Sequence, residues 1–144
     1  MAGSNYVLDK GFPVLSTYNA SNASGVTSFR VVKTIAATGT IDLAVAATAT
    51  ALQVGVVQEN IDRAKVATGK AVADVRLLGI TKVVVDGTPG TINHGTRVMC
   101  GAAGGVIVAA TTGSYLVGIA VGVPSGTAVA GDIIDVLLTP GALF

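Results

Sequence analysis

Very little of this sequence is charged, aromatic or chemically reactive. There is one cysteine, one histidine and no tryptophan; aromatic residues make up 4% and charged residues 12% of 144, against about 25% charged in ordinary soluble domains. A lone Cys100 excludes an intrachain disulfide and suits synthesis in a reducing compartment. One Cys and one His fall short of a zinc set. A nucleophilic pair of Cys100 and His94 would need a third group to orient the imidazole. Their settings read instead as a turn histidine and a small apolar core cysteine. Asp132 and Asp135 would point to opposite faces of a strand. Glu59, Asn60 and Asp62 lack the spacing of a calcium loop and read as a solvated charged turn. The Gly-rich run from Gly101 to Gly105 lacks the helix and lysine of a phosphate loop and reads as a hairpin turn. No catalytic residue, metal ligand or cofactor is expected.

Nine basic and eight acidic residues leave a net charge of +1, with no basic face for nucleic acid. From Val98 to the last residue only Asp132 and Asp135 are charged. The apolar run from Val106 to Val123 is as long as the shortest spanning helices, but it is broken by Thr111-Thr112-Gly113-Ser114 and has no flanking basic cluster or aromatic belt. No membrane partner is expected. The first residues also lack the pattern of a secretory signal. The two sequons at Asn19 and Asn22 are therefore read as chance matches in a polar linker.

What is present is glycine, 19 residues of it, and a chain that is 51% hydrophobic. From Val26 onward it reads as short strands cut by turns. Ala73/Val75/Leu77 alternate with Asp74 and Arg76, and Ile134/Val136/Leu138 alternate with Asp135. Val83/Val85 lead to a turn at Asp86-Gly87, and Val117/Ile119/Val121/Val123 are spaced to share one face. No stretch has helical periodicity; Ala64 to Thr68 could form at most one turn.

An internal repeat organises these strands. Val45-Ala46-Ala47-Thr48 recurs as Val108-Ala109-Ala110-Thr111, and Val54-Gly55 as Val117-Gly118, both 63 residues on. After a short slip, Asp74-Val75 and Leu77 match Asp135-Val136 and Leu138. The expected fold is all-β: a single domain over residues 29–144, a small β-barrel or sandwich made of two repeated β-units at about 30–78 and 93–138. Closure of that kind protects strand edges. Residues 1–28 are aperiodic, polar and aromatic. They read as an extended N-terminal arm, either a frayed tail or an arm whose Tyr6, Phe12 and Tyr18 dock on a partner. A core folded without residues 1–25 is expected.

The stretch Leu52-Gln-Val-Gly-Val-Val-Gln-Glu-Asn60, followed by Ala67-Thr-Gly-Lys-Ala-Val-Ala-Asp-Val-Arg-Leu-Leu-Gly79, resembles the capsid decoration, or head cement, proteins of tailed bacteriophages. So do Gly95-Thr-Arg-Val98, Tyr115-Leu-Val-Gly-Ile-Ala-Val-Gly122 and Ala130-Gly-Asp-Ile-Ile-Asp-Val-Leu-Leu138. The resemblance runs from Ala51 to Leu138 and leaves residues 1–28 outside the family pattern. It implies a non-enzymatic virion protein, made in the host cytoplasm, that binds the major capsid protein on the outer capsid surface. It further implies a homotrimer that cements neighbouring capsomers and stabilises the head. A tail, fibre or other surface structural β-module is the alternative.

Overall fold

Ala73 and Val75 are fully buried between exposed Val72 and Asp74, the period of two that marks a strand with one wet face. Such strands dominate the computed structural model, which describes residues 7–18, 25–44, 53–110, 113–139 and 142. In chain order they are β1 (Leu8–Pro13), β2 (Val31–Ile35), β3 (Thr40–Leu43), β4 (Gln53–Val57), β5 (Val72–Leu78), β6 (Ile80–Val84), β7 (Arg97–Cys100), β8 (Val106–Val108), β9 (Leu116–Gly122) and β10 (Ile133–Leu138). One short helix, α1 (Arg63–Ala67), sits before β5. It is capped by the Asp62 carboxylate, which accepts from the Lys65 N–H at 2.9 Å, and it anchors inward through Val66. The fold is all-β, in two five-stranded antiparallel sheets.

The sheets are copies of one plan. Their strand orders are β1-β5-β4-β2-β3 and β6-β10-β9-β7-β8, the same order shifted by five strands. The correspondence holds residue by residue. Val32 faces Gly55 and Leu43 in the first sheet, as Val98 faces Gly118 and Val108 in the second. A register shift follows Val32 and recurs after Val98. A parallel bridge joins Val14 to Ile41, and its counterpart joins Val85 to Val106, so each sheet curls until its edge strands touch. Antiparallel bridges Val26–Ile61 and Ile92–Ala128 also correspond. Curling in this way leaves few open strand edges.

Two glycines allow the curl. A Cβ on Gly55 would overlap the backbone carbonyl oxygen of Arg76, and one on Gly118 that of Leu137. Only glycine lets those backbones approach so closely. A backbone quirk is shared too: Phe29 holds φ 64° where its counterpart Gly95 holds φ 82°. Their N–H groups donate to Val57 and Ala120, themselves counterparts. Positive φ costs a non-glycine residue roughly 1–2 kcal/mol, so the first repeat carries a strain that the second avoids.

The repeats pack head to tail. Repeat 1 has its own core, including Val14, Tyr18, Val32, Ile41, Val57 and Val75. The core of repeat 2, around Val83, Val98, Val106 and Val136, also takes in Val31, Ala44 and Val56 from repeat 1. Hydrogen bonds fix this seat. The Val31 N–H donates to Gly104 O at 2.8 Å and the Val84 N–H to Phe29 O at 3.0 Å. Arg30 Nη1 donates to Ala103 O at 3.0 Å, and the Cys100 thiol to Ala44 O at 3.4 Å. Gln58 Nε2 donates to Thr81 Oγ1 at 3.0 Å.

Several sequence expectations change here. Residues 8–13 are extended, but as β1 they pair with β5 along its length, and Val14, Tyr18 and Val26 are core residues. What read as an arm over 1–28 therefore supplies the first strand of repeat 1, as β6 does for repeat 2. The repeats span β1 to β5 and β6 to β10, joined by Gly79 alone. Gly11 and Pro13 disrupt alternation in β1, and its outer side is wet, which hid the strand. The match of Val45–Thr48 to Val108–Thr111 falls partly outside the described residues, and the ladders set Leu43 rather than Val45 against Val108. In β9, Val117 is buried while Ile119 is half-buried and Val121 exposed; Gly118 and Ala120 turn inward. Two register slips break the simple alternation, one against β7 at Val98/Met99, which leaves Val117 as the extra residue, and one against β10 at Asp135/Val136, which leaves Val121.

Candidate interaction surface

The reactive side chains do not assemble. Cys100 is buried, its thiol bonded to the Ala44 and Gly101 carbonyls. Burial, helped by the charge of Asp86, pushes its pKa up to about 12, the reverse of an activated thiolate. His94 lies in an exposed loop with Nδ1 3.1 Å from Val121 O. Glu59, Asn60 and Asp62 are exposed, as expected of a solvated turn, and are structural as well. They hold the Asp74 N–H, the Ser28 N–H and the start of α1. From the same loop Arg63 donates to the carbonyls of Tyr18 and Ser16, at 2.6 and 3.3 Å. That clamp on residues 16–18 was not visible in sequence, because the partners are backbone oxygens 45 and 47 residues away. Gly101–Gly105 is the β7–β8 hairpin turn, with Gly104 at φ 72°. Among the described residues no group of three His, Cys, Asp or Glu is placed to hold a metal. No described helix is long and apolar enough to cross a membrane.

The three aromatic residues expected to dock on a partner have separate fates. Tyr6 lies outside the described residues. Phe12 is half-buried against the repeat 1 core, with the Lys10 ammonium 5.4 Å over its ring. Tyr18 is 1% exposed. Burial, then the charge of Asp42, drives its pKa well above the ordinary phenol value, and its hydroxyl has no hydrogen-bond partner. The ring is filling its own core, so it is not free to bind anything else.

The surface most suited to contact was not singled out in sequence. Across the outer face of sheet 2, Ile80, Leu137, Ile119 and Arg97 stand side by side in one cross-strand row. Ile80 is 49% and Leu137 39% exposed, and Leu78 (48%) and Leu8 (49%) continue the apolar strip across Gly79. The neighbouring row is Lys82 and Asp135, joined at 3.4 Å. In sheet 1 the equivalent row is Asp9, Arg76, Val56 and Val31. There Asp9 and Arg76 form a two-point ion pair at 2.8 and 2.9 Å, while Val56 and Val31 are 0% and 1% exposed beneath repeat 2. The Val56–Val31 half of the sheet 1 row is covered, whereas at the same points of sheet 2 Ile119 is half-buried and Arg97 exposed.

No protein-family model matches this chain, and no curated protein matches it. A solved structure does. The crystal structure of the head fiber gp8.5 N base in bacteriophage phi29 superposes with a TM-score of 0.59, covering 93% of this chain and 95% of that one. At 15% identity the likeness is one of fold. It extends across both repeats, so the tandem arrangement itself is shared.

Proposed function

We propose that this chain is a structural, non-enzymatic protein of a phage virion that binds the major capsid protein on the outer surface of the head. The observation that carries the reading is the fold likeness to a phage head-fibre base over almost the whole of both chains. The decoration-protein cadence of residues 51–138 points the same way. A low-charge β-surface with exposed aliphatic residues suits repeated contacts on a lattice, where many weak contacts add through effective concentration.

Two roles fit that position: cementing neighbouring capsomers, and seating a fibre. The neighbour's description as a fibre base favours the second. Co-sedimentation with expanded empty heads tests the shared reading, with binding expected and failure on every form of head removing it. Heating the loaded heads then separates the roles. A cement raises the temperature at which heads disrupt, whereas a fibre base binds and leaves it unchanged. His94 and Cys100 replaced together by Ala should bind heads as the parent does; loss of binding with the fold intact would argue for chemistry at those residues.

A further inference from the structure

We infer that the bare outer face of repeat 2 receives the free end of repeat 1 from a second copy of this chain, repeating between molecules the seat already formed within one. This goes beyond the virion reading and does not depend on it. Inside the chain, the covered row of sheet 1 is seated on a definite set of elements in repeat 2. These are the β7–β8 hairpin, with Ala103 and Gly104, together with Cys100 and β6. Each has a counterpart in repeat 1. The β2–β3 hairpin carries Thr38 and Gly39 where the other carries Ala103 and Gly104, and Thr34 stands for Cys100.

The counterparts are uncovered. A Cβ on Gly104 would press against Leu43 and Val31 of repeat 1, whereas one on Gly39, at a similar φ of 66°, would meet nothing. Cys100 is 1% exposed while Thr34 is exposed. The molecule thus presents an unused end on repeat 1 and an unused apolar face on repeat 2. These are the two halves of a contact whose geometry is already realised between its own repeats. Such a contact is heterologous: it links copies head to tail and ends only if the rotation closes a ring. It also departs from the internal seat in detail. Pro13 stands where Val84 donates to Phe29, and a proline has no N–H to give. The intermolecular contact therefore rests more on Ile119, the counterpart of Val56, with Ile80 and Leu137 at its margin.

Sedimentation velocity on the full chain, without capsids, tests this over a concentration series. Wild type should grow from monomer to multiples as concentration rises. Ile119→Arg, which puts a charge where its counterpart Val56 is sealed in the internal seat, and Thr34→Arg, which blocks the end and opposes Arg97, should each stay monomeric. Thr34 is exposed and Ile119 half-buried, and unchanged circular dichroism and Tm would show that the fold survives. Mixed one to one, the two variants retain one intact face and one intact end, so the mixture should form a dimer and nothing larger. The inference is overturned by a wild type that stays monomeric at the highest attainable concentration, by variants that associate as wild type does, or by a mixture that stays monomeric.

Discussion

Repeat 1 and repeat 2 follow the same ladder, yet corresponding positions sit in opposite surroundings. Val31 and Val56 are sealed against a neighbour, while Arg97 and Ile119 at the same lattice points face outward. At the other two points of the row, repeat 1 has the Asp9–Arg76 ion pair where repeat 2 has exposed Ile80 and Leu137. Duplication supplies one shape twice, and a head-to-tail pair leaves one face and one end unused. Burial of the two valines contributes about 1.5–3 kcal/mol each. That is enough to fix how the repeats sit, and it is not fully available to half-buried Ile119 and exposed Arg97 unless another surface covers them.

The largest break in the comparison is removal of β1. Deleting residues 1–25 strips the edge of sheet 1 together with Val14 and Tyr18. Cooperative thermal unfolding should disappear or split, because losing an edge strand together with buried Val14 and Tyr18 removes much of the 5–15 kcal/mol that holds an ordinary domain. A truncated chain with one sharp, unshifted calorimetric transition would show that β1 is dispensable after all. Next come Gly55→Ala and Gly118→Ala, each expected to cost about 3 kcal/mol or more by forcing a methyl onto a carbonyl oxygen. Comparable losses in urea unfolding would confirm that the two bends are equivalent; a large difference would break the symmetry.

Gly104→Ala against Gly39→Ala isolates the seat between repeats. Both accept a strained φ, about 1–2 kcal/mol, but only the first adds a clash with Leu43. An extra loss of about 1–3 kcal/mol at Gly104 is expected in denaturant titrations, and equal losses would mean that the hairpin does not bear on repeat 1.

Cys100 gives a pH signature confined to the repeat 2 core. Its folded pKa, near 12, lies above the ordinary 9.0, so the unfolded chain releases this proton first and stability falls as pH rises from about 9 toward 12. Tyr18 in repeat 1 adds in the same direction above its ordinary 10.0. Cys100→Ala should flatten the fall measurably between pH 9 and 10 while lowering stability at neutral pH by about 1 kcal/mol through the lost packing. An unchanged alkaline slope would count against a buried thiol.

The smallest effect belongs to the ion pair that repeat 2 lacks. Arg76 holds the Asp9 carboxyl below its usual range, chiefly by hydrogen bonding, so its contribution is present above about pH 4 and is lost as pH falls through the depressed value. Both side chains are partly solvated, and Asp9→Asn should cost no more than about 1 kcal/mol at pH 7. A thermal scan at neutral pH and in acid checks it.

Much of the fold was legible because burial here mostly obeys a period of two. Ala73/Val75 and Ile134/Val136/Leu138 lie inside as their alternation predicted, and Val54-Gly55 against Val117-Gly118 located the duplicated bend. Legibility failed where a bulge changed the phase, as at Val121, and where a strand lacked alternation, as in β1. The reading of Tyr18 as a docking residue failed because an aromatic ring in an aperiodic segment carries no sign of whether its own core or another protein will cover it.

Composition and alternation alone determined that this is a β-protein built twice, since strand period and glycine placement are local properties of the chain. Tertiary structure alone decided which repeat covers the other and which face stays bare. Two nearly identical ladders have nearly identical local preferences, and only packing in space can make their environments differ.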